Sequence, residues 1–241
     1  MNEQPYVSIV LPVYNQADHI EDIIEAYLSV LESFKHAFEV ILVVNASYDD
    51  SLQICQEMAK SHPSICVMHS VEPGWGRAIR TGLAAARGQV VCYTNSARTS
   101  PYTLVSSLML AIANPGCVLK TNRRLRYPLI RRIGSGLYNL QCRVLFDLAV
   151  WDLNGTPKVF SRDLVSLLDL GEDGDLIDLE FAVKCKKLGL QILELPIVSS
   201  ARHGGKATTN FYSAFKMYWG AFRMWLDVRK DTNSAKEARN L

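Results

Sequence analysis

The chain has 241 residues, 49% of them hydrophobic and 21% charged, the balance of a soluble protein long enough for one large domain or two small ones. A formal net charge of +2 gives no electrostatic case for nucleic acid, and no run of about 18 apolar residues is present to cross a bilayer. The six cysteines (Cys55, Cys66, Cys92, Cys117, Cys142, Cys185) lie far apart without Cys-x-x-Cys spacing, so they read as small buried hydrophobes of a reducing compartment. Met1-Asn2-Glu3-Gln4 has neither the basic nor the apolar region of a signal peptide, which makes a cytoplasmic protein the expectation.

Val7 to Leu11 is a continuous β-branched and leucine run, the pattern of a buried parallel strand, and Pro12-Val13-Tyr14-Asn15-Gln16 breaks it. A helix follows from about Asp18, with Ile20, Ile23, Ile24, Tyr27, Leu28 and Leu31 at helical spacing. Phe38 to Val44 is a second strand, ending in Asn45-Ala46-Ser47-Tyr48-Asp49. Ser47 or Asp49 then caps a helix with Leu52, Cys55 and Met58 along one face. Ile65 to Met68 is a third strand. Pro73-Gly74-Trp75-Gly76 turns into a helix over Arg77 to Arg87, which Gly88 terminates. The fourth strand is Val90-Val91-Cys92-Tyr93. It passes into Thr94-Asn95-Ser96, and a helix restarts at Pro101 with Leu104, Leu108 and Leu110. Val118-Leu119 is a fifth strand, before Lys120-Thr121-Asn122-Arg123.

Strand alternating with helix implies an α/β architecture: a doubly wound, mostly parallel sheet with helices on both faces. In such sheets ligands sit beyond the carboxyl ends of the strands, so Asn95, Ser96 and Ala97 should look into a site. No Gly-x-Gly-x-x-Gly follows the first strand and no Gly-Lys-Ser/Thr phosphate loop is present, which excludes the dinucleotide and P-loop fingerprints.

VSIVLPVYNQADHI, EVILVVNASYDDS, GWGRAIRTGLAAARGQVV and the strand end before Pro101 resemble the consecutive blocks of the family 2 glycosyltransferases. Arg131-Arg132 with Ser135 and Asn139, then WDLNGTPKVFSRD, DLIDLEFAVKCKKLG, ELPI and RHGGKAT, are similar to the dolichol-phosphate mannosyltransferase and polyprenyl-phosphate glycosyltransferase branch, in order and at like spacing. The resemblance covers residues 6 to 230. It implies a GT-A fold in one domain over residues 1–230: a nucleotide-binding half (1–101), an acceptor half (102–208) and an amphipathic helix (209–230), with a polar, disordered tail over 231–241.

The resemblance also assigns roles. Pro12, Tyr14, Gln16 and Asn45 fall where the family holds the nucleoside of a nucleotide-diphosphate sugar. Val44-Asn45 stands for the family's Asp-Asp pair, and Gln16 for its Glu. Asn95, Ser96 and Ala97 occupy the place of the metal-binding Asp-x-Asp. An amide and a hydroxyl without net charge hold a divalent ion poorly, so neither Mg²⁺ nor Mn²⁺ is expected there. Arginine is the expected substitute on the diphosphate, with Arg77, Arg80 and Arg98 as candidates beside a cluster of Arg123, Arg124, Arg126, Arg131 and Arg132; the alternative for the cluster is a solvated basic face. Arg123, Arg131, Ser135, Arg202 and Lys206 are the phosphate or acceptor candidates, the last two flanking Gly204-Gly205 in a loop. Asp178 and Glu180 fall on the family's Asp-x-Glu near the acceptor. At i and i+2 they do not share a helix face, so at most one addresses the reacting centre. Asp152 supports the same pocket.

Phe211, Phe215, Tyr218, Phe222 and Trp225 form an aromatic stripe with Lys216, Arg223 and Arg229 elsewhere on the helix. This face either meets a membrane surface, packs back on the domain or makes a homodimer contact. The leading reading is an inverting transfer of a sugar from a UDP or GDP donor to a lipid phosphate or a saccharide, without divalent metal, on the inner face of the membrane. The rival is a glycosyltransferase-like binding or assembly protein that has lost transfer.

Overall fold

The computed structural model describes residues 4–96, 99–125, 129–198 and 211–239. In chain order these make β1 (Val7–Val13), α1 (Ile20–Leu31), β2 (Phe38–Asn45), α2 (Ser51–Ser61), β3 (Ile65–Ser70), α3 (Trp75–Ala85), β4 (Val90–Tyr93) and α4 (Pro101–Ala113). The second half contributes β5 (Val118–Leu125), α5 (Leu129–Phe146), β6 (Lys158–Ser161), α6 (Asp163–Leu168), α7 (Ile177–Lys187), β7 (Ile192–Val198) and α8 (Phe211–Arg239).

The strands form one sheet in the order β3-β2-β1-β4-β6-β5-β7. β1 pairs in parallel with β2 and β4, β2 with β3, and β5 with β7, while β6 runs antiparallel to β4 and β5. Every residue of β1 is buried, as a strand covered on both faces requires. Alternate residues of β1 and β2 feed two cores. One is closed by α1, α2 and α4 around Ile24, Leu31 and Leu108, the other by α3 and α7 around Ile79, Leu83 and Phe181. A third cluster lies outside the sheet, where α5, α7 and α8 pack through Tyr138, Cys142, Leu179, Val183 and Ala221.

Local chemistry sets the corners. Ser100 accepts a hydrogen bond from the Thr103 amide (3.1 Å), and Pro101 follows at the first helical position, so α4 starts there. At the amino end of the sheet, Glu39 is buried and takes the Ser8 hydroxyl (2.6 Å), the Arg87 backbone amide (2.8 Å) and the Arg87 guanidinium. That bond set pins the α3–β4 corner far from the ligand end.

Three expectations are corrected. β1 runs through Pro12 to Val13 instead of breaking at the proline. β5 extends to Leu125 although its second half is polar, because Lys120, Thr121 and Asn122 find buried partners. The tail expected from Asp231 is continuous with α8 as far as Arg239.

Candidate functional site

β1 leads to β2 on one side and neighbours β4 on the other, so the topological switch lies between β1 and β4, where open α/β sheets bind ligands. The loops leaving these strands meet across that crevice. The Gln16 side chain accepts from the Ser96 hydroxyl (2.7 Å), and its backbone amide donates to Ser51 at the start of α2 (2.8 Å). Asn15 and Ala46, each with φ of 48°, are left-handed residues at the ends of β1 and β2. The Asn15 side chain accepts from the Tyr48 amide (2.8 Å), while Asp49 accepts from the Ala17 amide (2.9 Å). Those bonds hold two strained turns in one geometry. Above them the Tyr14 and Tyr48 rings meet edge to face with centroids 6.5 Å apart, and both are exposed. This aromatic lip offers a flat apolar face at the mouth of the crevice.

Pro12 is buried inside β1 and does not line the opening, and Val44 points into the core. Asn45 is also buried. Its amide nitrogen donates to the Gly74 carbonyl (3.0 Å), tying the end of β2 to the loop before α3. Asn95 hydrogen-bonds through its backbone carbonyl to the Thr99 amide (3.1 Å).

Asp178 lies beneath the crevice on the first turn of α7. Its Oδ1 accepts the Tyr93 hydroxyl (2.9 Å) and pairs with the ammonium of Lys158, which stands opposite Tyr93 in the β4–β6 register. Both ions are almost wholly buried. Burial pushes the Lys158 ammonium down from its ordinary value while the Asp178 charge pulls it back up, and burial with the same carboxylate raises Tyr93 well above the usual phenol range. Asp175, one turn earlier, is raised by desolvation and by Asp178; Lys216 of α8 works against that shift.

Glu180 does not join Asp178. Its carboxylate accepts the backbone amides of Gly171 and Glu172 (2.8 Å each) and pairs with Lys184, so it closes the α6–α7 loop on itself. The predicted split between the two acids is what the helix produces, and Glu180 acts as a loop clamp. Arg80 is corrected in the same way. With Arg77 it grips Asp173 of that loop (2.7 Å each), so both guanidinium groups are engaged by a carboxylate of the protein itself. A groove of about 550 Å³ beside this pair runs between α3 and α6, off the strand ends. Arg123 makes a bidentate pair with Asp152 (2.7 and 2.9 Å). Ser135 donates to the Arg132 carbonyl within α5 (3.1 Å). Ala97, Arg98, Arg126, Arg202, His203, Gly204, Gly205 and Lys206, and the side chain of Arg131, lie outside the described residues.

Residues 8–163 match the model of the family described as "Glycosyl transferase family 2". The chain belongs to that family. Glycosyltransferase AglD of Haloferax volcanii is 28% identical over 202 residues, which is 79% of this chain and 32% of that protein. Undecaprenyl-phosphate 4-deoxy-4-formamido-L-arabinose transferase of Pseudomonas fluorescens is 25% identical over 83% of this chain and 58% of its own length. The chain thus spans only a third to three-fifths of these curated relatives. Among solved structures, glucosyl-3-phosphoglycerate synthase of Mycobacterium tuberculosis, in complex with Mn²⁺, uridine diphosphate and phosphoglyceric acid, superposes with a TM-score of 0.69 at 20% identity, over 92% of this chain and 78% of that one. The fold is GT-A.

The described residues at the family's metal position do not suit a divalent ion. Asn95 and Ser96 bring no carboxylate, the Ser96 hydroxyl is held by Gln16, and the Thr99 hydroxyl is 2.7 Å from that of Thr94. Among the described residues no cluster of three His, Cys, Asp or Glu has metal-binding geometry.

Several site residues of this family 2 domain went unread in the sequence. Lys158 sits in a quoted block, but a lysine in a short strand reads as solvent-facing until the antiparallel register puts it against Tyr93. Lys120 and Glu194 pair at 2.9 Å in the same way across β5 and β7, and Glu194 also accepts the amides of Trp151 (3.1 Å) and Asp152 (3.3 Å). The available signal was a run of polar residues continuing a strand.

Proposed function

We propose that this family 2 chain is an inverting glycosyltransferase that takes a sugar from a UDP or GDP donor and gives it to a polyprenyl phosphate, without a divalent metal. The nucleoside would lie against the Tyr14–Tyr48 lip over the β1–β4 crevice, with Gln16 and Ser96 bridging its floor. The observation that carries the reading is the commitment of both expected bases: Asp178 is spent on Lys158 and Tyr93, and Glu180 on loop amides. A saccharide hydroxyl must lose a proton as it attacks, whereas a phosphate monoester is already ionised near neutral pH and needs no base. The arrangement therefore favours the phosphate acceptor. The named function of the Pseudomonas relative, transfer to undecaprenyl phosphate, supports the same class.

Charge on the departing diphosphate must be met by cations, since the position of the Asp-x-Asp lacks carboxylates. Arg123, Arg80 and Arg77 are spoken for by Asp152 and Asp173, so that role falls to Arg98, Arg202 and Lys206, with the remaining cluster arginines Arg124, Arg126, Arg131 and Arg132, in this reading. The missing metal ligands also fit a second reading, a glycosyltransferase-like binding or assembly protein that has lost transfer. Incubation with UDP- and GDP-sugars and a short polyprenyl phosphate, with EDTA or with Mg²⁺, tests both. Lipid-linked sugar formed equally in EDTA is the expected result. Activity lost in EDTA and restored by Mg²⁺ sinks the metal-free mechanism; no thermal stabilisation by any nucleotide sugar and no product supports the binding protein.

A further inference from the structure

On α8, Phe215, Trp219, Phe222 and Leu226 recur at i, i+4, i+7 and i+11, and Phe215 and Trp219 are 68% and 59% exposed. On α5, Ile133, Leu137, Leu140 and Val144 recur at the same spacing, each more than half exposed. Neither stripe belongs to the third core, which α5 enters through Tyr138 and Cys142 and α8 through Tyr218 and Ala221.

The two stripes are contiguous. The helices meet where the Tyr218 hydroxyl donates to the Gly134 carbonyl (2.6 Å), where the Gln141 amide donates to the Tyr218 carbonyl (3.2 Å), and where the Tyr138 and Tyr218 rings pack edge to face (5.6 Å). At about 100° per residue, passing round α8 from the core gives Ala221, Tyr218, Phe222, Leu226, Trp219; passing round α5 from the core gives Tyr138, Gln141, Leu137, Val144, Leu140. Each stripe begins next to the seam and turns outward on the same side of it, so together they make one apolar platform. Its border is basic: Lys216, Arg223 and Lys230 fall at i, i+7 and i+14 along the far edge of the α8 stripe, all exposed. A groove of about 310 Å³ opens there between Trp219, Phe222, Leu226, Arg223 and Lys230, with Asp227 the one acid among them.

We infer that this two-helix platform is a docking surface for a bilayer containing anionic lipid. Exposed apolar surface of this extent marks an interaction face, and three cations in one row along its edge match a negatively charged headgroup plane better than the mixed rim of a protein partner. No described helix is long and apolar enough to cross a membrane, so contact is along the surface. Lys216, at the near end of the row, stands close enough to Asp175 to influence its charge, and Asp175 neighbours Asp178 under the crevice.

Flotation of the full chain with phosphatidylcholine vesicles, with and without phosphatidylglycerol, tests this without donor or acceptor, so its outcome is separate from that of the transfer reading. Binding is expected on the anionic vesicles and weakened by high salt. Lys216→Glu, Arg223→Glu and Lys230→Glu together should lower the partition coefficient about 100-fold, each cation near such a surface contributing roughly fivefold. Ile133→Ser, Leu137→Ser, Leu140→Ser and Val144→Ser together should lower it at least about tenfold at an unchanged melting temperature. No binding by the wild type overturns the inference, as does a folded α5 variant or a charge-reversed α8 variant that binds as well as wild type. A dimer dispersed by the α5 changes, with no vesicle binding, assigns the platform to a second copy of the chain and equally overturns it.

Discussion

Lys158 and Asp178 show how a single pair sets the floor of the site. Each is a charge withdrawn from water, tolerable only because the other is present and Tyr93 supplies a further hydrogen bond. Removing one partner leaves the other charge stranded, so Lys158→Met or Asp178→Leu should each destabilise the fold by about 3–5 kcal/mol. Replacing both with apolar residues, Lys158→Met with Asp178→Leu, should recover most of that loss. Urea denaturation of the four proteins closes the cycle. Single and double effects that simply add would show that the pair is not coupled. The cycle also separates roles: a double variant that is stable yet inactive in transfer assigns the Lys158–Asp178 pair to the chemistry as well as to the fold.

The α6–α7 loop is the element that joins the two halves. Its Asp173 carbonyl accepts the Arg77 amide of α3 (3.0 Å), its carboxylate holds Arg77 and Arg80, and its Glu172 carbonyl comes so near Gly76 that an added Cβ would lie 2.2 Å from it. Gly76 is there because the backbones touch, and the Gly74–Gly76 pair in the GWGR block marks that contact. Gly76→Ala should push the loop off α3, cost about 1–3 kcal/mol, and expose residues 169–175 to protease, as limited digestion and melting will show. Asp173→Asn is the contrast. Its ion pairs are one-third to one-half exposed, so global stability should change by less than about 1 kcal/mol. Equal losses from both changes would mean the charges, not the close approach, hold the loop. At this scale the first half of the chain was legible: the apolar runs at Val7 and Phe38, the helical spacing from Ile20 to Leu31 and the helix start at Pro101 each appear as read. The α6–α7 loop was not, since its partners Arg77 and Arg80 lie some ninety residues earlier. Arg80 and Arg123 read as phosphate ligands for the same reason. A sequence displays a guanidinium but not the carboxylate that the fold places on it.

For the whole molecule, the mostly parallel, doubly wound sheet followed from the strand–helix alternation, whereas the strand order, the antiparallel β6 and the outward faces of α5 and α8 depend on contacts between distant segments that no local period encodes. For the cysteines, read from the sequence as six buried hydrophobes, the assembled protein agrees at four and differs at Cys66 and Cys117. Cys55, Cys92, Cys142 and Cys185 are buried, Cys66 is exposed and Cys117 partly so. Desolvation pushes the thiols of Cys55, Cys142 and Cys185 up to about 12 and raises Cys92 as well; Tyr27 and Tyr138 are raised for the same reason. A buried thiol that stays protonated while its unfolded counterpart ionises near pH 9 stabilises the fold fully below that pH. The contribution is then lost as pH rises from about 9 toward 12, because the unfolded chain binds fewer protons over that window. Lys158, depressed by burial, acts in the opposite sense, but it is one group against several. The urea midpoint should therefore be level from pH 7 to about 8.5 and fall steadily above pH 9. In the native protein at pH 8 a thiol reagent should label Cys66 at once and Cys117 more slowly, with the four buried thiols reacting only on unfolding. Rapid native labelling of Cys142 in particular would mean that α5 opens away from α7 and α8, and that the third core is not a stable part of the domain.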